Sequence, residues 1–437
     1  MQREILTISA VAAFTASSFA GEGLPLFNES NLSTPVAAKA TEGVSFLDDM
    51  SDWVLRPTLD ARLRYEFREQ QNLDPSNSLT TRFRPGLRSK DFGGFSLFAE
   101  GEFSNAIVDD YRSSPPAVAG ATDPFVANNT VIADPETAEL NQAYLSYAGN
   151  GFSAKVGRQR INLDAQQMVG GVAWRNNEQT FDGITVGYKN DLVDLFYGYI
   201  TEVNRIFGSE PSGTFAALNA LEGEAHMFNG KVKLGDHQVG AYAYLFDFSD
   251  QGDFASSNTY GAFSTWKTGP GSLYLEGAIQ NESGNQPGYT DYYGHVKYSQ
   301  KIAGIAGSIG LISHGSYFAT PLQTAHKFNG FADAFLGQQL GLGQWDGLSD
   351  FYISGVKKGL PGGIKAVGAL HYFMDDEFND SYGWEADAVL VKPINENLTA
   401  LAKFAYFFGN NDYDGGSSFG GYPNDIAQAT VQLDYKF

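Results

Sequence analysis

Apolar and polar residues alternate one by one along much of the chain, beginning with DARLRYEFRE at 60–69. Leu63, Tyr65 and Phe67 share one face; Asp60, Arg62, Arg64, Glu66 and Arg68 share the other. Successive side chains of a β-strand point to opposite sides, so a period of two predicts a strand with one greasy and one charged face. The pattern recurs. TTRFRPGLRS sets Phe83, Pro85 and Leu87 against Arg82, Arg84 and Arg88. FSLFAEGEF sets Phe95, Leu97, Ala99 and Phe103 against Ser96, Glu100 and Glu102, with Phe98 as an exception. GSLYLEGAIQ opposes Leu273, Leu275 and Ile279 to Ser272, Tyr274, Glu276 and Gln280. GWEADAVLVK opposes Trp384, Ala386, Ala388 and Leu390 to Glu385 and Asp387. The last stretch, IAQATVQLDYKF, opposes Ala429, Val431, Leu433, Tyr435 and Phe437 to Gln428, Thr430, Gln432, Asp434 and Lys436.

Connections between these stretches alternate between short ones, such as AGNG, YKND and LGDH, and long ones near 105–136, 162–179, 205–222 and 315–346. Two solvents explain strands of this kind: lipid outside and water inside a closed barrel. A soluble β-sandwich could host the alternation, with apolar faces in a dry core and charged faces in water, but it does not explain so many strands joined by short and long connections in turn. The reading is an all-β transmembrane antiparallel up-and-down β-barrel of about 18 strands, with long loops extracellular and short turns periplasmic. Tyr147, Phe152, Tyr188, Tyr298, Tyr435 and Phe437 sit at strand ends, as interfacial aromatics do. Pro85 cannot donate to a ladder and is expected to mark a bulge. In AKVGRQRI, Arg158 and Arg160 fall on the face of Val156, so either a bulge near Gly157 resets the alternation or these arginines lie above the membrane.

Composition fits this reading. The 437 residues include 50 Gly, 14% aromatic residues and 18% charged residues, and no Cys, which removes disulfides and thiolate chemistry. The mature chain offers no apolar run of about 18 residues, so transmembrane helices are not expected. Residues 1–20 read as a signal peptide, with Arg3, the apolar ILTISAVAAFTASSFA and the small-x-small site Ser18-Phe19-Ala20. Residues 21–52 show no period and read as a flexible N-terminal extension; residues 53–437 form the barrel. The aromatic Phe437 at the end of the last strand is the feature that the barrel-assembly machinery of Gram-negative outer membranes reads. Integral outer-membrane localisation, among lipid and lipopolysaccharide, follows.

Charge sharpens the functional question. The formal net charge is -21, with Lys+Arg 29 against Asp+Glu 50. Positive charge is scarce, yet Arg62, Arg64, Arg68, Arg82, Arg84 and Arg88 gather on the polar faces of two adjacent strands. Guanidinium forks bind carboxylate and phosphate at two points, and rings of Arg or Lys mark anion pores. The ladder therefore predicts a cationic lumen wall whose charge is in part unpaired and faces water. The competing reading is internal pairing with Asp60, Glu66, Glu100 and Glu102, a mesh that stiffens the wall.

A second basic stretch, KVGRQRINLDAQQMVGGVAWRNNEQTFDGITVGY at 155–188, adds Lys155, Arg158, Arg160 and Arg175 beside Asp164, Glu178 and Asp182. It resembles the alginate export family of outer-membrane barrels, as do ETAELNQAYLSY at 136–147, FATPLQTAHKFNGFADAFLG at 318–337, GLSDFY at 347–352 and EADAVLVKPINENLTALAKFAYF at 385–407. The resemblance implies a monomeric eighteen-stranded porin with an electropositive constriction that passes a polyuronate, and it makes Arg158, Arg160 and Arg175 pore residues. The alternative for these three is pairing with Glu178 or Asp182 to pin a long loop.

The acidic loops MDDEFND, with Asp375, Asp376, Glu377 and Asp380, and NNDYDGG, with Asp412 and Asp414, offer oxygen ligands but lack a complete calcium loop. They read as solvated charge, and no metal or cofactor is expected. The six histidines are scattered, and no catalytic motif appears beyond a nominal His314–Ser316 pair. The function expected is passive passage of anionic polysaccharide or oligosaccharide, not catalysis. Uptake of small anions or oligosaccharides is the alternative, a barrel enzyme or adhesin a remote one. No nucleic-acid partner is expected.

Overall fold

The computed structural model describes residues 54–114, 123–209, 219–285, 288–339, 346–410 and 424–437. The signal and extension read at 1–20 and 21–52 lie outside the described residues. Eighteen strands follow one another in chain order. They are β1 (Leu55–Gln70), β2 (Ser76–Ser89), β3 (Phe95–Asp110), β4 (Thr137–Gly149), β5 (Phe152–Gln159) and β6 (Thr180–Lys189). Next come β7 (Val193–Asn204), β8 (Ala220–Leu234), β9 (His237–Phe248), β10 (Ser257–Thr268), β11 (Gly271–Glu282) and β12 (Thr290–Ile302). The last six are β13 (Ile305–His314), β14 (Leu348–Leu360), β15 (Ile364–Met374), β16 (Ser381–Pro393), β17 (Leu398–Gly409) and β18 (Ile426–Lys436).

Each strand pairs antiparallel with its neighbours in sequence, and β1 pairs with both β2 and β18, which closes the sheet. Closure satisfies every ladder and leaves no edge, the condition for a sheet to cross lipid. The seam is firm: Leu59 N–H donates to Phe437 O at 3.1 Å and Phe437 N–H to Leu59 O at 3.0 Å. Turns on the side where β1 begins and β18 ends are short, and the opposite side carries the long connections. By the porin convention the short turns are periplasmic.

The alternation resolves as expected. Leu63, Leu275, Ile353, Leu370, Phe404 and Leu433 are exposed on the outer face, a band of apolar side chains that only lipid can cover. Arg64, Glu66, Glu385, Gln428 and Gln432 are buried on the inner face. Phe98 points inward and is buried, which explains its break in the pattern.

One local expectation is corrected and one of two open alternatives is removed. Pro85 does not mark a bulge: Phe83 opposes Phe103 and Gly86 opposes Glu100 in one unbroken register, and the irregularity lies at Leu79/Thr80. Proline is tolerated there because pairing to β3 simply lapses at Arg84 and Pro85 while Leu59 faces Pro85 on the other side. Nor does a bulge at Gly157 reset β5, whose pairing with β4 and β6 runs through that residue without a shift. Gly157 has φ +116°, and a Cβ there would meet Ala143 O at 2.2 Å, so glycine is required for close approach, not for a change of register.

The long loops do not simply stand out from the barrel as the turn pattern suggested. The stretch 160–179 and the stretch 315–339 fold into the interior and bind each other. Gly170 N–H donates to Leu322 O at 2.8 Å, Thr324 N–H to Gln166 O at 3.0 Å, and Lys327 Nζ to Ala165 O at 2.7 Å. Their apolar residues, including Ile161, Val169, Leu322 and Phe328, pack on the inner wall at Phe181, Tyr244, Phe246 and Tyr293. Trp174, Phe331 and Phe335 pack on Phe373, Phe407 and Ile426 across the barrel. The driving force is ordinary: these loops carry large apolar side chains that gain by leaving water.

Candidate functional site in the barrel interior

Between the two apolar clusters lies a charged network built on β1, β2, β3 and β18. The alternation of β1 aims Arg62, Arg64, Glu66 and Arg68 at the interior, and that of β2 aims Arg82, Arg84 and Arg88. Cross-strand register sets their order: Arg62 opposes Arg82, Asp60 opposes Arg84, and Arg56 opposes Arg88. The ladder thus spans the height of the wall.

Most of its rungs are paired and dry, as the competing reading of internal pairing expects. Arg62 Nε donates to Asp434 Oδ1 at 2.8 Å, and its Nη1 to the carbonyls of Trp174 at 2.8 Å and Arg175 at 3.2 Å. Arg64, fully buried, donates to Gln432 Oε1 at 2.8 Å, to Asp134 Oδ2 at 3.0 Å and to Trp174 O. Arg82 pairs with Asp60, and Arg84 with Glu102 and, at 3.4 Å, Glu178. Arg84 Nη2 also donates to Asn176 O at 2.8 Å. The physical reason is that charge removed from water must find a partner, and the inward loops both exclude the water and supply the acceptors.

The ladder is not wholly consumed. Arg82 Nε and Nη1 have no hydrogen-bond partner among the described residues. Arg68 holds one long bond, to Gln428 Oε1 at 3.4 Å, and Arg88 lies over the Phe98 ring at 4.5 Å. Neither forms an ion pair among the described residues.

The three arginines carried over from the family resemblance separate. Arg160 turns inward just past the end of β5 and pairs with Glu100 at 2.9 Å and with Glu178, its side chain still 35% exposed. Arg175 reaches from its loop to Glu66 at 3.1 Å, Asp134 at 3.7 Å and Asp333 at 3.6 Å. Burial disfavours both charges, but the facing carboxylates outweigh it and hold both guanidiniums more firmly protonated than usual. Arg158 does not join them. It stays on the outer face with Val156 and pairs with Asp182 at 2.7 Å, while Nη1 donates to Leu140 O at 3.1 Å. Because β5 keeps its register through Gly157, Arg158 cannot turn inward; Arg160 can, because the strand has ended.

Several members of the network had no signal in the sequence. Asp134 is buried at the end of the loop after β3, accepting from Arg64 and, at 2.7 Å, from Asn176 N–H. Trp174 has the Arg64 guanidinium at 4.3 Å and the Lys403 ammonium at 3.8 Å from its ring, and stacks on His326 at 4.7 Å. His326 Nδ1 bonds Asp333 at 2.9 Å and Nε2 accepts from Lys403. Burial first, and then the Lys403 ammonium, push the His326 imidazole down to about 4 against the pull of Asp333. Asp333, despite burial, is held well below the usual carboxylate range by His326 and Arg175. Backbone amides of the same loop donate to the wall: Ala332 N–H to Glu385 at 2.7 Å and Phe331 N–H to Asp387 at 3.4 Å.

Elsewhere the candidates thin out. Asp375 accepts from Asn379 N–H at 2.7 Å and Asp380 N–H at 3.1 Å, so it organises its own turn. Among the described residues no group of three His, Asp or Glu side chains is placed to hold a metal, and Asp412 and Asp414 lie outside those residues. His314 is buried beside Phe318 at 6.3 Å and its Nδ1 bonds nothing, so no His314–Ser316 pair forms through that atom.

Comparison with known proteins agrees with this architecture. Residues 55–197 match the profile of the alginate export family. The segments at 318–337, 347–352 and 385–407 lie outside that match. No curated protein matches the chain. Among solved structures, Pseudomonas aeruginosa OpdO is 14% identical with a TM-score of 0.63, covering 88% of this chain and 97% of its own. The outer membrane protein OpdK of the same organism is 13% identical with a TM-score of 0.62, over 87% of this chain and 99% of its own. Acinetobacter baumannii OccAB4 is 12% identical with a TM-score of 0.62, over 88% and 98%. At such identities the likeness is one of fold. The closed eighteen-stranded sheet, its apolar outer band and the family match together identify the chain as an integral outer-membrane β-barrel of porin architecture, similar over residues 55–197 to the alginate export family.

Proposed function

We propose that the barrel is a diffusion channel for anionic carbohydrate, an alginate-like polyuronate or shorter uronic-acid oligosaccharides, guided by the arginine wall. The observation that carries this reading is the column of inward guanidiniums, from Arg88 through Arg84, Arg82, Arg62 and Arg64 to Arg68. The partly exposed Arg160, held by Glu100 and Glu178, supplies a place where a passing carboxylate exchanges with a resident one, and Arg68, with a lone bond to Gln428, keeps donors to spare. A second reading, passage of small carboxylates, is favoured by the two loops that fill the interior and narrow any route through it. It also fits a structural relative of the same fold, P. aeruginosa OpdK, described with vanillate.

Planar-bilayer recording tests both. A salt gradient is expected to give a reversal potential of anion-selective sign, and oligouronates are expected to block the open channel where neutral oligosaccharides of equal length do not. Cation selectivity would refute the anion route. Block by vanillate without block by oligouronates would leave only the small-carboxylate reading.

A further inference from the structure

At the periplasmic end of the charged wall, register aligns one row of side chains across four strands. Arg56 on β1 opposes Arg88 on β2, Arg88 opposes Phe98 on β3, and Phe98 opposes Tyr144 on β4. The next residue in the row is Gly157 on β5, which carries no side chain, and Lys155, two residues nearer the periplasm, reaches over the Tyr144 ring instead. The Arg88 guanidinium lies 4.5 Å from the Phe98 centroid, the Phe98 and Tyr144 rings are 5.5 Å apart, and the Lys155 ammonium lies 4.7 Å from the Tyr144 centroid. Two cations are thus seated on two rings that pack against each other.

Unlike the paired rungs above them, Arg88 and Lys155 form no ion pair among the described residues, and both are only half-buried. An aromatic face attracts a cation but does not neutralise it, so the charge remains available to an anion. Phe98, in turn, is 7% exposed and packs against the Tyr144 ring, so the Arg88 side chain is already ordered over it before a ligand arrives. Three strand spacings of about 4.8 Å separate β2 from β5, and both side chains lean inward between them.

We infer that Arg88 and Lys155, bracketed by Phe98 and Tyr144, form a binding site for the carboxylate of a uronic-acid sugar at the periplasmic mouth, which captures substrate before it meets the paired network. This rests on the anionic-carbohydrate reading above and adds the place and side of first capture. Fixed positive charge at a mouth raises the local concentration of an anion and its on-rate, and the effect belongs to the side on which the charge stands.

The test is side-resolved block of single channels of the full-length protein, with orientation read from the asymmetry of the current–voltage curve. Glucuronate or an oligouronate is added to one chamber at a time. In the doubly substituted Arg88→Gln, Lys155→Gln channel the on-rate for block from the periplasmic side is expected to fall about tenfold, and to change little from the extracellular side. Arg88→Lys with Lys155→Arg keeps both charges and is expected to restore most of the on-rate, which a merely structural role of the pair would not produce. An unchanged periplasmic on-rate, or an equal loss from both sides, overturns the site, as does absence of glucuronate block in the wild type. Block by glucuronate that depends on the pair, without block by oligouronates, would retain the site and refute the polymer reading.

Discussion

Arg64→Met isolates what the arginine ladder does for the constriction. Methionine has similar length and no charge, and position 64 is fully buried. The substitution removes donors to Gln432 at 2.8 Å, Asp134 at 3.0 Å and the Trp174 carbonyl, and takes the guanidinium from the Trp174 ring at 4.3 Å. Asp134 then keeps Asn176 N–H at 2.7 Å and a distant Arg175 at 3.7 Å. Removing one member of a buried ion pair costs about 3–5 kcal/mol, because the other charge is stranded. The strand ladder of β1 survives, since its backbone bonds to β2 and β18 are untouched. The penalty therefore falls on docking of the 160–179 loop. At about 1.4 kcal/mol per factor of ten, the undocked population rises by roughly two to three and a half powers of ten. Single-channel recording is expected to show larger conductance and bursts of excess noise, and limited proteolysis to cut within 160–179. Arg68→Met is the control: Arg68 loses only a 3.4 Å bond to Gln428 and is expected to leave both readouts near wild type. Equal, quiet conductance in Arg64→Met and wild type, with no new cleavage, would refute the claim that the ladder fastens the loop.

Other outcomes follow from the same geometry. Leu275→Arg puts a charge on the lipid face at about 2–4 kcal/mol and is expected to lower the yield of heat-modifiable barrel far more than Glu276→Gln on the inner face; equal yields would mean a wrong register. Docking of the 315–339 stretch is expected to weaken with acid. The docked His326 is held down to about 4, below its free value, so the undocked loop binds more protons, and stability present above about pH 6.5 is lost as pH falls toward 4. Asp333, also depressed, adds a loss of the same sign at lower pH. Open-channel noise that is flat between pH 7 and 4.5 would contradict this. An epitope tag at Glu377, in the exposed turn between β15 and β16, is expected to label on intact cells, whereas one at Ala325, beside the buried His326 and Lys327, is not.

The sequence by itself determined the barrel, because alternation is a local property. Which of Leu63 or Arg64 faces lipid is settled by the period of two and by the cost of charge in hydrocarbon, without knowledge of any distant residue. Short and long connections in turn determined the count and sense of the strands for the same reason. The state of the arginines was a different matter. Asp434 meets Arg62 across the seam, 372 positions along the chain, and Asp134 meets Arg64 only because a loop turns back over the mouth. No period marks a loop that folds inward, so the drying of the ladder, the stacking of Trp174 on His326 and the docking of Ala332 on Glu385 were decided by tertiary structure alone. Arg158 and Arg160, two residues apart in one motif, show the division most plainly. The pattern placed both on one face, but the end of a strand lies between them, and where a strand ends depends on its partners. Arg160 entered the network and Arg158 stayed outside, because backbone pairing holds a side chain to its face only as far as the ladder runs.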